Sequence, residues 1–266
     1  MQSIVATVLN GYLSLRHLFS DDLCPGRISE LPDGLLLKVS PIRGASEGDI
    51  IRFVQRHTSI PTPRIVASVQ GHGRRFLLME KVKGSTLQEV WMTLSTAERT
   101  KVVAQLRSYI AQLRSLRSPH GSAVCGLNGE AVVDCRITSS TPVGPFPNEA
   151  AFNDRAAETS MPFKRKAEVA EIRAQMRDNH AIVFTHGDIA PRNVIVDGDK
   201  VVALLDWEQA GWFPEHWEWI KAMWCPPDPK PASELWEQAV KELFAHDYEA
   251  EWHIDCKLSD GIVGGF

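Results

Sequence analysis

One stretch, residues 181–206, constrains the fold of this chain more than any other. Residues 181–185 are mostly apolar and are broken off by His186-Gly187-Asp188. Residues 194–196 and 201–205 are two further apolar runs rich in valine, joined by Asp197-Gly198-Asp199, and Asp206 follows directly. Short β-branched runs bounded by turn residues read as buried strands, and Asp-Gly between two such runs is a hairpin turn. Asp188, Asn193 and Asp206 then stand at strand ends. The hairpin between the second and third can bring all three to one edge of a sheet. Taken singly, each is ordinary turn chemistry. Taken at this spacing, two carboxylates and an amide offer a proton acceptor and hard oxygen ligands for a cation.

The rest of the chain divides in character. Residues 27–40 read as a hairpin turning at Pro32-Asp33-Gly34, and 47–57 as a helix with Ile50, Ile51, Phe53 and Val54 apolar, stopped by Pro61 and Pro63. Residues 65–68 and 75–79 read as strands paired across Gln70-Gly71-His72-Gly73. Beyond Met79 helical signals take over. Ser85-Thr86-Leu87-Gln88 reads as a capping box for a short helix, and Ser95-Thr96-Ala97-Glu98 as one for a long helix carrying Val102, Val103, Leu106, Ile110, Leu113 and Leu116. Residues 118–162, rich in Gly, Pro and small polar residues and with only short strand or helix patterns, read as a long functional or mobile loop. Residues 164–179 read as helical, and the Trp-rich remainder as helices with a Pro-rich break at 226–231. The expectation is an α+β chain: a small strand-rich part over 1–80, a connector at 81–84 and a helix-rich part over 85–266. A cleft between two such lobes favours ligand binding. The strand-rich part would open with an amphipathic helix on Ile4, Val8, Tyr12 and Leu15.

Charge and composition exclude several classes. The formal net charge of −4 gives no basic field for nucleic acid, and no run approaches the roughly 18 apolar residues of a membrane span. Five scattered cysteines, Cys24, Cys125, Cys135, Cys225 and Cys256, contain no C-x-x-C and point to reduced thiols of a cytoplasmic protein rather than to disulfides or a thiolate zinc site.

His186-Gly187-Asp188, with Asn193 five residues after the aspartate, resembles the catalytic loop of aminoglycoside phosphotransferases, and protein kinases carry the related H-R-D-x-x-x-x-N. Asp206 resembles the metal-binding aspartate of the kinase Asp-Phe-Gly motif, here followed by Trp207 and Glu208. The resemblance runs from about residue 27 to Gly264-Gly265-Phe266. It is strongest over 180–224, and over 47–64 and 211–219 it is similar to fungal members of the family. It also extends to choline-kinase-like enzymes.

This resemblance implies a bilobal protein-kinase-like fold with ATP and Mg2+ between the lobes. It implies Asp188 as catalytic base and Asn193 and Asp206 as metal ligands. Lys38 would bind the phosphates and pair with Glu47, for which Asp49 is the neighbouring alternative. The backbone of Glu80 to Val82 would meet the adenine edge. No G-x-G-x-x-G precedes Lys38, so the phosphate-covering loop stays unassigned.

The acceptor implied is a hydroxyl on a small molecule: an aminoglycoside-like compound, an amino alcohol or a specialised metabolite. Residues 207–255 carry eleven acids against three lysines, which suits a cationic acceptor but equally suits solvated helix faces. Trp207, Trp212, Trp217 and Trp219 read as acceptor-pocket walls or as core. Two rival readings are a catalytically silent nucleotide-binding protein and an enzyme reusing the fold for other chemistry. A protein kinase is disfavoured by Trp207-Glu208 and by the absence of A-P-E downstream.

Overall fold

The computed structural model describes residues 28–260 apart from 72, 138–140 and 228. The expected leading helix, Cys24 and the C-terminal Gly-Gly-Phe lie outside the described residues. The chain falls into two compact units: one runs to Ile42 and resumes over Pro63–Val82, and the other comprises Arg43–Thr62 and Lys83 onward.

The first unit is a four-stranded antiparallel sheet of β1 (Ile28–Leu31), β2 (Leu35–Pro41), β3 (Ile65–Gly71) and β4 (Arg74–Glu80), in the order β1-β2-β4-β3. The predicted turn is there: Asp33 and Gly34 take φ of 62° and 69°, a left-handed pair that aspartate tolerates and glycine adopts freely. Leu37 and Val39 pack on Ala67, Phe76 and Leu78. The two-residue period of a strand turns Lys38, between them, to the other face.

In the second unit, α1 (Glu47–His57) lays Phe53 against Phe184 and Trp212, with ring centroids 5.1 and 6.4 Å apart. Those two rings sit on β6 (Ile182–Thr185) and β9 (Gly211–Pro214), which pair antiparallel. A second small sheet has the order β5-β7-β8, from Ser85–Thr86, Val194–Asp197 and Lys200–Leu204. The short helix α2 (Leu87–Val90) is capped by Thr86 with Glu89, one residue later than expected. The shift follows from Ser85 being held in β5 opposite Val196. The long helix α3 (Thr96–Ser115) has the expected box of Ser95 and Glu98.

The segment read as an open loop is built otherwise. It contains α4 (Glu149–Glu158), capped by Asn148, whose side chain accepts from Ala151 N at 3.0 Å. It also supplies Val124, Val132, Ile137 and Phe152 to a core shared with Phe213, Trp217 and Ile220. Then come α5 (Lys166–Arg173), α6 (Trp217–Met223), α7 (Ala232–Leu243) and α8 (Glu249–Ser259). The strands β5 and β9 and the helix α4 are the elements the sequence reading lacked. The four tryptophans in question are at most 2% exposed and belong to the core.

Candidate active site

β6 delivers the chain into a loop that is fixed from inside. His186 is fully buried; its Nδ1 accepts from Asp188 N at 3.1 Å and its Nε2 lies 3.0 Å from Leu205 O. An acceptor at one nitrogen and a donor at the other describe a neutral ring protonated at Nε2. Burial pushes this imidazole down to about 4, and the charges of Asp188 and Asp206 oppose the shift. Gly187 has φ of +81°, and a Cβ there would stand 2.8 Å from Gln209 O, so only glycine fits. Glu218, in α6, accepts from the backbone N–H of His186 at 2.6 Å and of Gly187 at 3.0 Å. Burial raises its carboxyl to about 7, against the lowering effect of those two bonds.

The loop presents Asp188, 5% exposed. Its Oδ2 accepts from Asn193 Nδ2 at 2.7 Å, and its Oδ1 meets the Arg192 guanidinium at 2.6 Å. Asn193 closes a 3-10 turn, Pro191–Asn193, and its carbonyl accepts from Leu205 N at 2.8 Å. That bond ties the turn to the end of the β7–β8 hairpin, immediately before Asp206. Asp206 takes φ of 63°, an unusual backbone for a non-glycine residue and one met at functional sites. The predicted trio is thus gathered by one hairpin and one turn. Cys225 Sγ lies 3.8 Å from Asp188 Oδ1 and 3.7 Å from Arg192.

Around Asp206 the donors are oxygen. One carboxylate oxygen from each of Glu47, Asp206 and Glu208 lies within 4.8 Å of the others, and Trp207 N donates to Glu47 Oε1 at 3.2 Å. Asp49, the alternative to Glu47, pairs with Arg52 at 3.0 Å on the exposed side of α1. Asn193 directs its amide nitrogen to Asp188, so its amide oxygen is the end that could take a cation. A set of hard oxygen donors of this kind fits Mg2+.

Lys38, Glu80 and Val82 belong to the first unit. Lys38 is 7% exposed, in register between Ile28 and Leu77. Glu80 ends β4 and its carboxylate pairs with Arg64. The N–H groups of Glu80 and Lys81 go to Arg64 O and Gly34 O, at 3.0 and 2.8 Å.

The sequence reading missed Glu218, Arg192, Cys225 and Glu208 as members of this site. Glu218 carried a signal, being an acid between two tryptophans in an apolar run. The other three carried none beyond lying near the motif.

The sequence pattern of the phosphotransferase enzyme family, APH, matches residues 32–255. No curated protein matches the chain closely enough to count as a relative. Among solved structures, a thermostable mutant of the aminoglycoside phosphotransferase APH(4)-Ia, in ternary complex with AMP-PNP and hygromycin B, is 14% identical with a TM-score of 0.58. It covers 91% of this chain and 87% of its own. The aminoglycoside-3'-phosphotransferase of type VIII is 16% identical with a TM-score of 0.55, over 93% of this chain and 97% of its own. The GDP complex of aminoglycoside 2'-phosphotransferase-IIIa is 13% identical with a TM-score of 0.55, over 94% and 86%. At these identities the structures establish the fold, and the match over most of the chain establishes the family. The chain belongs to the phosphotransferase enzyme family and is a small-molecule kinase of the protein-kinase-like fold.

Proposed function

We propose that this enzyme transfers the γ-phosphoryl group of ATP to a hydroxyl of a small molecule, with Asp188 as the group that orients that hydroxyl and takes its proton. The observation that carries the reading is the bond of 2.7 Å from Asn193 Nδ2 to Asp188 Oδ2, in a loop tied by Leu205 N to the residue before Asp206. Phosphoryl transfer needs positioning and charge neutralisation more than covalent chemistry, and these residues are placed for both. Asp188 is buried, aimed by Asn193 and held by a loop that Glu218 anchors, so it meets a hydroxyl in one orientation. Asn193 and Asp206, with Glu47 and Glu208 beside Asp206, would hold Mg2+. Bound there, the ion would neutralise charge on the transferred phosphoryl group. Lys38 is the proposed cation for the α- and β-phosphates, and the backbone at Glu80 and Val82 the proposed contact for adenine.

The acceptor is proposed to be amine-bearing. Hygromycin B and gentamicin are bound by structural neighbours, and residues 207–255 of this chain are strongly acidic. A cytoplasmic setting suits the use of ATP and the free thiols of Cys125, Cys135, Cys225 and Cys256. The test is ATP consumption across aminoglycosides, amino alcohols and choline-like compounds, with mass detection of the product. A product heavier by one phosphoryl group supports the reading. ATP binding without any phosphorylated product across the panel favours a silent nucleotide binder, and a product changed without phosphate favours other chemistry on this fold.

A further inference from the structure

The strand pair β6–β9 has a second cluster of polar groups at its opposite end. Ile182 faces Pro214 in the register, so the chain leaves the same end of the pair through His180 on one strand and His216 on the other. Their rings lie 4.4 Å apart, centroid to centroid. Glu149, the first residue of α4, reaches this point, with Oε1 2.6 Å from His180 Nδ1 and 3.6 Å from His216 Nδ1. One ligand atom from each of the three residues lies within 4.8 Å of the others. Glu149 and His216 are each 3% exposed, and the His180 side chain is 6% exposed. No hydrogen-bond partner meets His216 Nδ1 among the described residues. A buried, unpaired ring nitrogen is costly unless something occupies its lone pair.

We propose that Glu149, His180 and His216 bind a divalent transition-metal ion of borderline softness, zinc being the best fit. Two imidazoles and one carboxylate are a known zinc donor set, whereas Mg2+ and Ca2+ take oxygen ligands almost exclusively. Two ligands on one tetrahedral zinc stand about 3.4 Å apart, from bond lengths of about 2.0–2.1 Å, close to the 3.6 Å between Glu149 Oε1 and His216 Nδ1. In the metal-free protein a proton fills the 2.6 Å between His180 Nδ1 and Glu149 Oε1; the ion would displace it and open this pair to about 3.4 Å. Glu251, in α8, then becomes the outer partner of His180: its Oε1 is 3.4 Å from Nε2, the carboxylate–histidine arrangement that orients metal-ligating imidazoles. A cavity of about 20 Å³ opens against His216 and Glu251, large enough for one water on the His216 side of the cluster. Arg177, paired with Glu251, opposes a cation here, and the carboxylates of Glu149 and Glu251 must outweigh it. An ion at this point would fasten α4 to the base of β6, one strand length, about 13 Å at strand rise, from the His186 loop. It is separate from the oxygen donors around Asp206, so its loss leaves the proposed reaction otherwise intact.

The experiment uses the full chain, stripped with a chelator and titrated with zinc chloride against a chromophoric competitor. One equivalent binding at submicromolar dissociation constant, with a rise in melting temperature that magnesium chloride does not reproduce, is expected. His216→Gln and Glu149→Gln should each weaken binding at least tenfold, and His253→Gln, an exposed histidine of α8, should not. Should the buried variants fail to fold, cobalt(II) in the unaltered chain decides: visible bands of a tetrahedral nitrogen and oxygen site support the proposal. Absence of saturable zinc binding overturns it, as do unchanged binding in both folded variants or a thiolate-to-cobalt charge-transfer band.

Discussion

Asn193 donates its amide nitrogen twice to Asp188, to the side-chain Oδ2 at 2.7 Å and to the backbone carbonyl at 2.9 Å. One amide therefore fixes both the main chain and the carboxylate of the residue five positions before it. A freely rotating aspartate would have to be ordered at each turnover; this one is ordered by the fold. The arrangement accounts for the spacing in the motif, because the 3-10 turn Pro191–Asn193 folds the chain back by the distance that this pair of bonds requires.

Replacing the proposed base should separate chemistry from folding. Asp188→Asn keeps the shape and can still meet Asn193, but it cannot take a proton. We expect kcat to fall about a hundred- to ten-thousand-fold with little change in melting temperature. Asp206→Ala should abolish magnesium-dependent nucleotide turnover. Near-normal rates in either variant, in a steady-state ATP assay with a confirmed acceptor, would remove these residues from the reaction.

Gly187→Ala should disable the loop without touching a reacting group. The added Cβ would stand 2.8 Å from Gln209 O, on a backbone of φ +81° that L-residues rarely adopt. A cost of about 1–3 kcal/mol follows from strain of this kind. Denaturant unfolding measures it, and activity should fall further than stability alone explains because Asp188 is displaced.

Glu218→Ala should act at a distance on the same carboxylate. It leaves two buried N–H groups, on His186 and Gly187, without an acceptor, at about 1–3 kcal/mol each. Glu218 is a positioning residue, so kcat should drop with KM for ATP nearly unchanged. An equal rise in KM for ATP would mean that the loop damage had spread beyond Asp188.

Two buried groups under the loop should give stability opposing dependences on pH. His186 is held at about 4, against an ordinary value of 6.5. The unfolded chain takes up this proton first, so the contribution is complete above pH 6.5 and is lost as pH falls toward 4. Glu218 works in the opposite sense: raised from 4.5 to about 7, its contribution is complete below pH 4.5 and is lost as pH rises through 7. Each amounts to roughly 3 kcal/mol at most. Between about pH 4.5 and 6.5 the two slopes oppose each other and largely cancel in the unaltered chain; in Glu218→Gln melting temperature should fall as pH drops from 6.5 to 4, and in His186→Gln it should fall as pH rises from 4.5 to 7.

Much of this architecture was legible from local signals. The 47–57 helix, the hairpin turning at Asp33-Gly34, the β7–β8 hairpin and the Ser95–Glu98 cap all appear where propensity and turn chemistry put them. Each rests on residues a few positions apart. The 118–162 segment misled because its Gly and Pro content reads as loop, whereas α4 is held by Phe152 packing on Phe213 and Trp217, with ring centroids 5.8 and 4.8 Å apart. No window around residue 152 contains those partners. The Ser85 capping box failed for a related reason, since strand pairing with Val196 outranked a local helix start.

The same division holds for the site. Local order places the proposed residues Asp188, Asn193 and Asp206 near one another, because a turn bonds Asn193 to Asp188 and a hairpin bonds Asn193 to the residue before Asp206. Tertiary structure alone decided what surrounds them: Glu218 under the loop, Glu47 and Glu208 beside Asp206, and Glu149, His180 and His216 together at the far end of β6–β9. Contacts within a turn are dictated by backbone geometry that the residues themselves prescribe. Contacts between distant segments depend on which apolar faces bury one another, and only the packed chain settles that.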